Sequence, residues 1–243
     1  MNKMNIKACV YLLVLFILAT SITTTSVYAG TFSDNFDDNI AEGWQSTPQG
    51  TFYGLGNWRV EEGTLIEDRG HDHQKFLIEN YSFTDQSIES DIMFHDNGYA
   101  GITLWHQDVN NWVDVLIYPA GGILRVVESV DGILDRYDSP LTTSQLQWYS
   151  LKIDSTSSTG KLLVYLDSNL VGSHTAATSH RSGRSGLNSG NAGGSFDNFV
   201  ITSTNIISTP QSKSECMKNG WKAFTNPIFK TQGACVSYVA KIK

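Results

Sequence analysis

Between Thr31 and Thr204 the chain has no convincing amphipathic helix, which excludes an all-α or α/β body. It also lacks a G-x-S-x-G nucleophile elbow, a Walker phosphate loop and a dinucleotide fingerprint, so nucleotide chemistry has no foothold. Basic charge is scarce in the body. Residues 30–206 hold 9 Lys and Arg against 23 Asp and Glu, a net of −14, whereas residues 207–243 hold 6 Lys against one Glu, a net of +5. Phosphate binding needs the opposite sign, so nucleic acid is not expected as a partner. An acidic body suits a soluble exported protein, and it is compatible with Ca²⁺ and neutral sugars. Cysteine is nearly absent: Cys9, Cys216 and Cys235 are the three.

What is present begins with a targeting segment. Lys3 and Lys7 supply a positive start, Tyr11 to Ala19 an apolar stretch, and Val27-Tyr28-Ala29 a small-residue cleavage site. The apolar stretch falls short of the ~20 residues that a membrane span needs. Residues 1–29 therefore read as a signal peptide, and the mature chain as secreted, with no membrane span. Cleavage removes Cys9 and leaves the pair Cys216 and Cys235, which in an exported protein reads as a disulfide.

The body, residues 30–204, is a series of short runs rich in β-branched and aromatic residues, broken by Gly, Asn, Asp and Ser. Strands are expected over Asn57–Val60, Thr64–Asp68, Lys75–Asn80, Gln86–His95, Tyr99–His106, Trp112–Tyr118, Ile123–Ser129, Gly132–Asp138, Trp148–Asp154, Lys161–Asp167, Gly186–Ser189 and Ser195–Thr202. Spaced this way, with turn signals such as Asp131-Gly132 between them, they describe an antiparallel sandwich. Two similar segments, Phe32-Ser-Asp-Asn-Phe-Asp-Asp38 and Ser195-Phe-Asp-Asn-Phe-Val-Ile201, suggest that the terminal strands pair with each other. Residues 205–213 read as a Thr/Ser/Pro-rich linker. Residues 214–243 read as a small appendage with helical turns near Ser214–Lys218 and Gly233–Lys241. The Cys216–Cys235 bridge would be its main staple, worth ~3 kcal/mol in the chain-entropy model.

Alternation along the central hairpin nominates a binding surface. If Ile102 and Leu104 face the core, Trp105 faces outward. On the return strand Val113, Val115 and Ile117 are the core set, leaving Trp112, Asp114, Leu116 and Tyr118 outside. Arg125 joins them if Leu124 and Val126 point inward. Trp105, Trp112, Asp114, Tyr118 and Arg125 on one concave sheet would make a carbohydrate platform, because sugar C–H faces are apolar and their rims are hydroxyls. The open alternative is that these aromatics form a second layer under a long loop.

The acidic start, Gly43-Trp44, Trp58-Arg59-Val60 with Glu62-Gly63-Thr64-Leu65, and the closing Gly183–Asn188 with Ser195–Phe199 together resemble concanavalin A-like jelly-roll domains. The resemblance spans about residues 32–202 and takes in laminin G/pentraxin-like domains, family 66 carbohydrate-binding modules and 3-keto-disaccharide hydrolase-like domains. It implies an all-β, two-sheet antiparallel jelly-roll sandwich carrying a small disulfide-stapled C-terminal appendage. It further implies a structural Ca²⁺ near the paired terminal strands, for which Asp34, Asp37, Asp38 and Asp197 are the candidate ligands. Glu89 and Asp91 resemble the catalytic strand of family 16 glycoside hydrolases. The next same-face position is Met93, however, and the second carboxyl that retaining hydrolysis needs is missing. No catalytic residue is assigned. The expected function is a secreted, non-catalytic module that binds a poly- or oligosaccharide, with a hydrolase or an extracellular adhesion module as rivals. The tail resembles a short C-terminal motif of secreted bacterial proteins.

Overall fold

A computed structural model describes residues 30–47, 55–68 and 73–204; of the tail it describes 206–208, 229–241 and single positions between them. Residues 1–29, expected to be a signal peptide, lie outside the described residues, as do 205, 209, 211 and 212 of the expected linker, within which residues 206–208 form a strand. In chain order the first strands are β1 (Gly30–Asp34), β2 (Trp44–Thr47), β3 (Trp58–Glu61), β4 (Thr64–Glu67), β5 (Gln74–Ile78) and β6 (Tyr81–Phe83). Next come β7 (Gln86–Phe94), β8 (Tyr99–Asp108), β9 (Asn111–Tyr118), β10 (Ile123–Val130), β11 (Ile133–Pro140) and β12 (Trp148–Thr156). The series ends with β13 (Lys161–Leu166), β14 (Asn169–Thr175), β15 (Arg184–Gly190), β16 (Gly194–Ser203), β17 (Ile206–Ser208) and the helix α1 (Gln232–Lys241).

Fifteen of these strands form two antiparallel sheets, and β6 pairs with β17 in a separate two-stranded one. The first runs β14-β13-β12-β7-β16-β4-β3, with β1 also on β16; the second runs β11-β10-β9-β8-β15-β5-β2. The expected sandwich is present, and its terminal strands pair as the sequence suggested: Phe32 lies opposite Ile201 and Asp34 opposite Phe199. Strands β2, β6, β14 and β17 had no signal in the sequence reading.

The core lies between the sheets and is richest in aromatics where the terminal strands meet the second sheet. Trp44 stacks on Phe76 at 5.3 Å between ring centroids, Trp58 stacks on the same ring at 5.0 Å, and Phe199 meets Trp44 edge-on at 4.8 Å. Phe196 and Phe199 are three residues apart, which in a regular strand would send them to opposite faces. A bulge between Asp197 and Val200 with Asn198 at φ 48° lets both rings enter the core. Asn accepts that left-handed backbone more readily than most residues. At the far end of the sandwich, Glu128 of β10 accepts from the imidazole of His174 on β14 and from the backbone N–H groups of Ala177 and Thr178. That buried carboxylate ties the two sheets together.

One expectation fails here. Trp105 does not face outward; it is fully buried in the inter-sheet core with Ile102 and Leu104. The cause is a bulge. Trp105 has φ 52°, and the register slips on both flanks of β8, between Leu104 and Asp108 against β9 and opposite Arg184–Gly186 of β15. The extra residue cancels the alternation and turns the indole inward, where its N–H donates to the Thr84 carbonyl at 2.8 Å. Gly183 makes this close passage possible, since a Cβ there would sit 2.5 Å from the Trp105 carbonyl carbon.

The tail has its own small core of Cys216, Phe224, Phe229, Cys235 and Val239, and the Cys216–Cys235 disulfide is formed. Helix α1 begins where Thr231 Oγ1 accepts from Ala234 N–H at 3.1 Å. No helix among the described residues is long and apolar enough to cross a membrane.

Trp105→Ala should cost about 3–5 kcal/mol, the usual penalty for emptying a buried aromatic site. Urea unfolding measures it, and a loss of less than about 1 kcal/mol would place this side chain at the surface.

Candidate functional site

The outer face of the second sheet, turned away from the core, carries the remaining hairpin residues. Alternation holds along β9: Val113, Val115 and Ile117 enter the core while Trp112, Leu116 and Tyr118 gather with Tyr99 and Val127 in a separate cluster on the outer face. Arg125 also lies outward, opposite Asp138. Four of the five nominated residues therefore share this face, but their exposures differ. Trp112 and Asp114 are covered, whereas Tyr118 and Arg125 are half-exposed.

Asp114 is fully buried and anchors a polar network that sequence reasoning did not find. Both its carboxylate oxygens accept from Lys75 Nζ on β5. Thr103 Oγ1 on β8 donates to one oxygen at 2.6 Å, and Asn188 Nδ2 on β15 donates to the other at 2.7 Å. His73 Nδ1 stands 3.5 Å from the same group. Burial would raise the Asp114 pKa, but Lys75 and His73 outweigh it and hold the carboxyl at about 2. Burial pulls Lys75 below the ordinary ammonium value, opposed by Asp114. The ammonium also lies 3.9 Å from the Trp112 ring centroid, an additional favourable contact for a buried cation. Nearby, His106 is pushed down to about 3, by burial first and then by Lys75 and Arg184, so its ring is neutral at neutral pH.

The network supports an open cleft of about 190 Å³ lined by His73, Tyr99, Leu116, Tyr118, Arg125, Arg136 and Asn191. His73 links the two levels. Its ring lies 6.0 Å from Trp112 and 5.6 Å from Tyr99, and its backbone N–H donates to the Tyr99 hydroxyl. Tyr99 in turn meets Tyr118 edge-on at 6.4 Å. Tyr118 closes β9 just before the turn Pro119–Gly121, and Gly121 leaves its ring room, because a Cβ there would lie 2.7 Å from it. Arg125 is held by Asp138 through two parallel hydrogen bonds of 2.7 and 2.8 Å, which raise its pKa further. The sequence signal for the missed anchor is Lys75 itself, a lone cation beside Phe76-Leu77-Ile78.

The other nominated groups lie elsewhere. Glu89 and Asp91 are on the outer face of the first sheet, bonded to Ser150 and Asn198. At the terminal strands, Asp34 accepts from Phe36 N–H and the Trp44 indole, Asp37 from the Asn35 amide, and Asp38 from Ile40 N–H. Asp197 is raised by burial and then by repulsion from Asp91, Asp37 and Asp34. Among the described residues, no three or more His, Cys, Asp or Glu side chains gather into a metal-binding group. Asp34 and Asp38 line one surface depression with Asn35 and Asn198, and Asp197 is near enough to feel the charge of Asp34 and Asp37.

No protein-family model and no curated protein matches the chain. Solved structures do. The carbohydrate-binding module CBM66 from Bacillus subtilis superposes with a TM-score of 0.57 at 20% identity, over 66% of this chain and 96% of that one. The fold is the concanavalin A-like jelly roll. A β-glucanase from Bacillus licheniformis superposes at 0.53 and 12% identity, over 72% of this chain and 98% of that one. A β-1,3-1,4-glucanase (lichenase) derived from a mouse hindgut metagenome gives 0.53 and 12%, over 72% and 99%. At these identities the likeness is one of fold. The jelly roll is one on which both sugar-binding and sugar-cleaving proteins occur.

Asp114→Asn should destabilise the protein by about 3–5 kcal/mol at neutral pH, because it leaves Lys75 buried without its counter-charge. Asp114 stabilises only as a carboxylate. The gap between wild type and variant should therefore persist above about pH 4, the ordinary Asp value. It should close as pH falls toward about 2. Urea titrations across that range would show a constant gap if Asp114 were not ionised in the fold.

Proposed function

We propose that the chain is a secreted, non-catalytic carbohydrate-binding module that uses the cleft on the outer face of its second sheet. The carrying observation is the composition of that cleft: two tyrosine rings beside an amide and guanidinium groups, open at the surface and firmly supported from below. Tyrosine faces receive the C–H side of a sugar ring, while Asn191, Arg125 and His73 can meet its hydroxyls. The volume is below the ~300–1,000 Å³ of pockets for drug-sized ligands, which suits one sugar unit or a chain end. The solved carbohydrate-binding module of the same fold supports this reading. Export is supported by the disulfide of the tail, since such bonds persist in oxidising compartments.

Hydrolysis is the second reading, favoured by the β-glucanases of the same fold. Against it, no carboxylate lines the cleft, Asp114 is locked in an ion pair, and Glu89 and Asp91 sit on the opposite sheet. Release of reducing sugar that Asp91→Asn abolishes would establish the enzyme instead.

The test is polysaccharide pull-down followed by titration calorimetry on two variants. Tyr118→Ala should weaken binding about tenfold or more, as loss of a central aromatic anchor does. Trp148→Ala removes an exposed indole from the first sheet and should leave binding unchanged. The reverse pattern would move the site to the other face of the sandwich.

A further inference from the structure

The body of the chain is strongly acidic, with a net of −14 over residues 30–206. In the cleft the sign is reversed: two arginines line it and no carboxylate does. The two are not equivalent. Arg125 is already engaged by both oxygens of Asp138. Arg136 lies opposite Val127, so it projects on the same outer face; it is exposed and makes no ion pair or hydrogen bond among the described residues. Beneath them Lys75 and Asp114 cancel. Around the cleft this leaves one guanidinium without an ion-pair partner among the described residues, in a sandwich body that otherwise carries excess negative charge. A guanidinium offers a planar fork of donors that matches an oxyanion better than a single hydroxyl.

We infer that the cleft selects a saccharide bearing an oxyanion, a uronate carboxylate or a sulfate ester, and that Arg136 is the residue that reads it. This rests on the preceding reading that the cleft binds a saccharide. The aromatic pair would hold the ring and Arg136 the charge. Asp138 acts as an internal competitor, because it neutralises Arg125 and its own carboxyl is lowered first by the hydrogen bond from Arg125 and, more weakly, by the charge of Arg136.

Titration calorimetry at low and high salt on the full mature chain tests this with oligogalacturonate, a sulfated galactan oligosaccharide, and neutral β-glucan and levan oligosaccharides. At least one anionic probe should bind about tenfold more tightly than the neutral ones, with the advantage shrinking in salt. Arg136→Gln should abolish that advantage. Asp138→Asn, which frees Arg125, should strengthen anionic binding several-fold. Whether galacturonate, sulfated galactan or both bind identifies the source of the charge, and each result supports the inference. Neutral sugars bound as tightly as anionic ones, lost in Tyr118→Ala but unaffected by Arg136→Gln, would overturn the inference and leave the cleft reading standing. No Tyr118-dependent binding of any probe would overturn both.

Discussion

The buried carboxylate of Asp114 is the constraint on which the second sheet depends. It draws Lys75, Asn188 and Thr103 into one cross-strand network, so β5, β15, β8 and β9 each contribute one side chain to the same charge. Taking two ions out of water is costly, and the attraction between them offsets that cost only when the remaining hydrogen-bonding positions are also filled. Here they are filled by Thr103 and Asn188, on two further strands. The arrangement specifies register as well as energy. A one-residue slip of any of these strands would send its polar group into the apolar core and bring a core side chain outward. Trp112, His73 and Tyr99 then pack over the network in sequence, and the cleft inherits its shape from that stack.

The two sheets divide the work. The first is closed by the pairing of β1 with β16, and its Phe199 and Trp58 meet Trp44 and Phe76 of the second in the aromatic core. Asp34 shows how economical that closure is, because a single carboxylate caps the turn at Phe36 and satisfies the buried Trp44 indole. On the outer face of the second sheet, tyrosine rings and arginines reach solvent together with no carboxylate lining the cleft.

Much of this was legible in the sequence, and the failures have a common cause. The sandwich, the pairing of the terminal strands and the outward row Trp112, Asp114, Leu116 and Tyr118 all follow from period-two alternation and hold in the fold. Trp105 was misplaced because alternation was carried through a residue with φ 52°, and nothing in Leu104-Trp105-His106 announces a bulge. The same device went unremarked at Phe196 and Phe199, where it brings two rings to one side. Lys75, Asn188, Tyr99 and Arg136 were missed for another reason. Lys75 and Asn188 sit on β5 and β15, distant in sequence from Asp114 on β9, and only sheet order makes them neighbours. Tyr99 and Arg136 lie on the adjacent hairpin strands β8 and β11, whose register alternation alone does not give. Local pattern gives the face of a strand; it does not give the strand beside it.

The placement of cysteine divides the molecule in a further way. Residues 30–204 contain no sulfur cross-link and no thiol, while the tail is held around Cys216 and Cys235. The sandwich relies on packing and buried polar contacts that reductants do not touch. The appendage, with a core of only a few side chains, relies on a bond that thiols can open. The two parts are therefore subject to different chemical environments: the jelly roll can fold wherever the chain is made, and the tail acquires its bonded form only where the surroundings are oxidising.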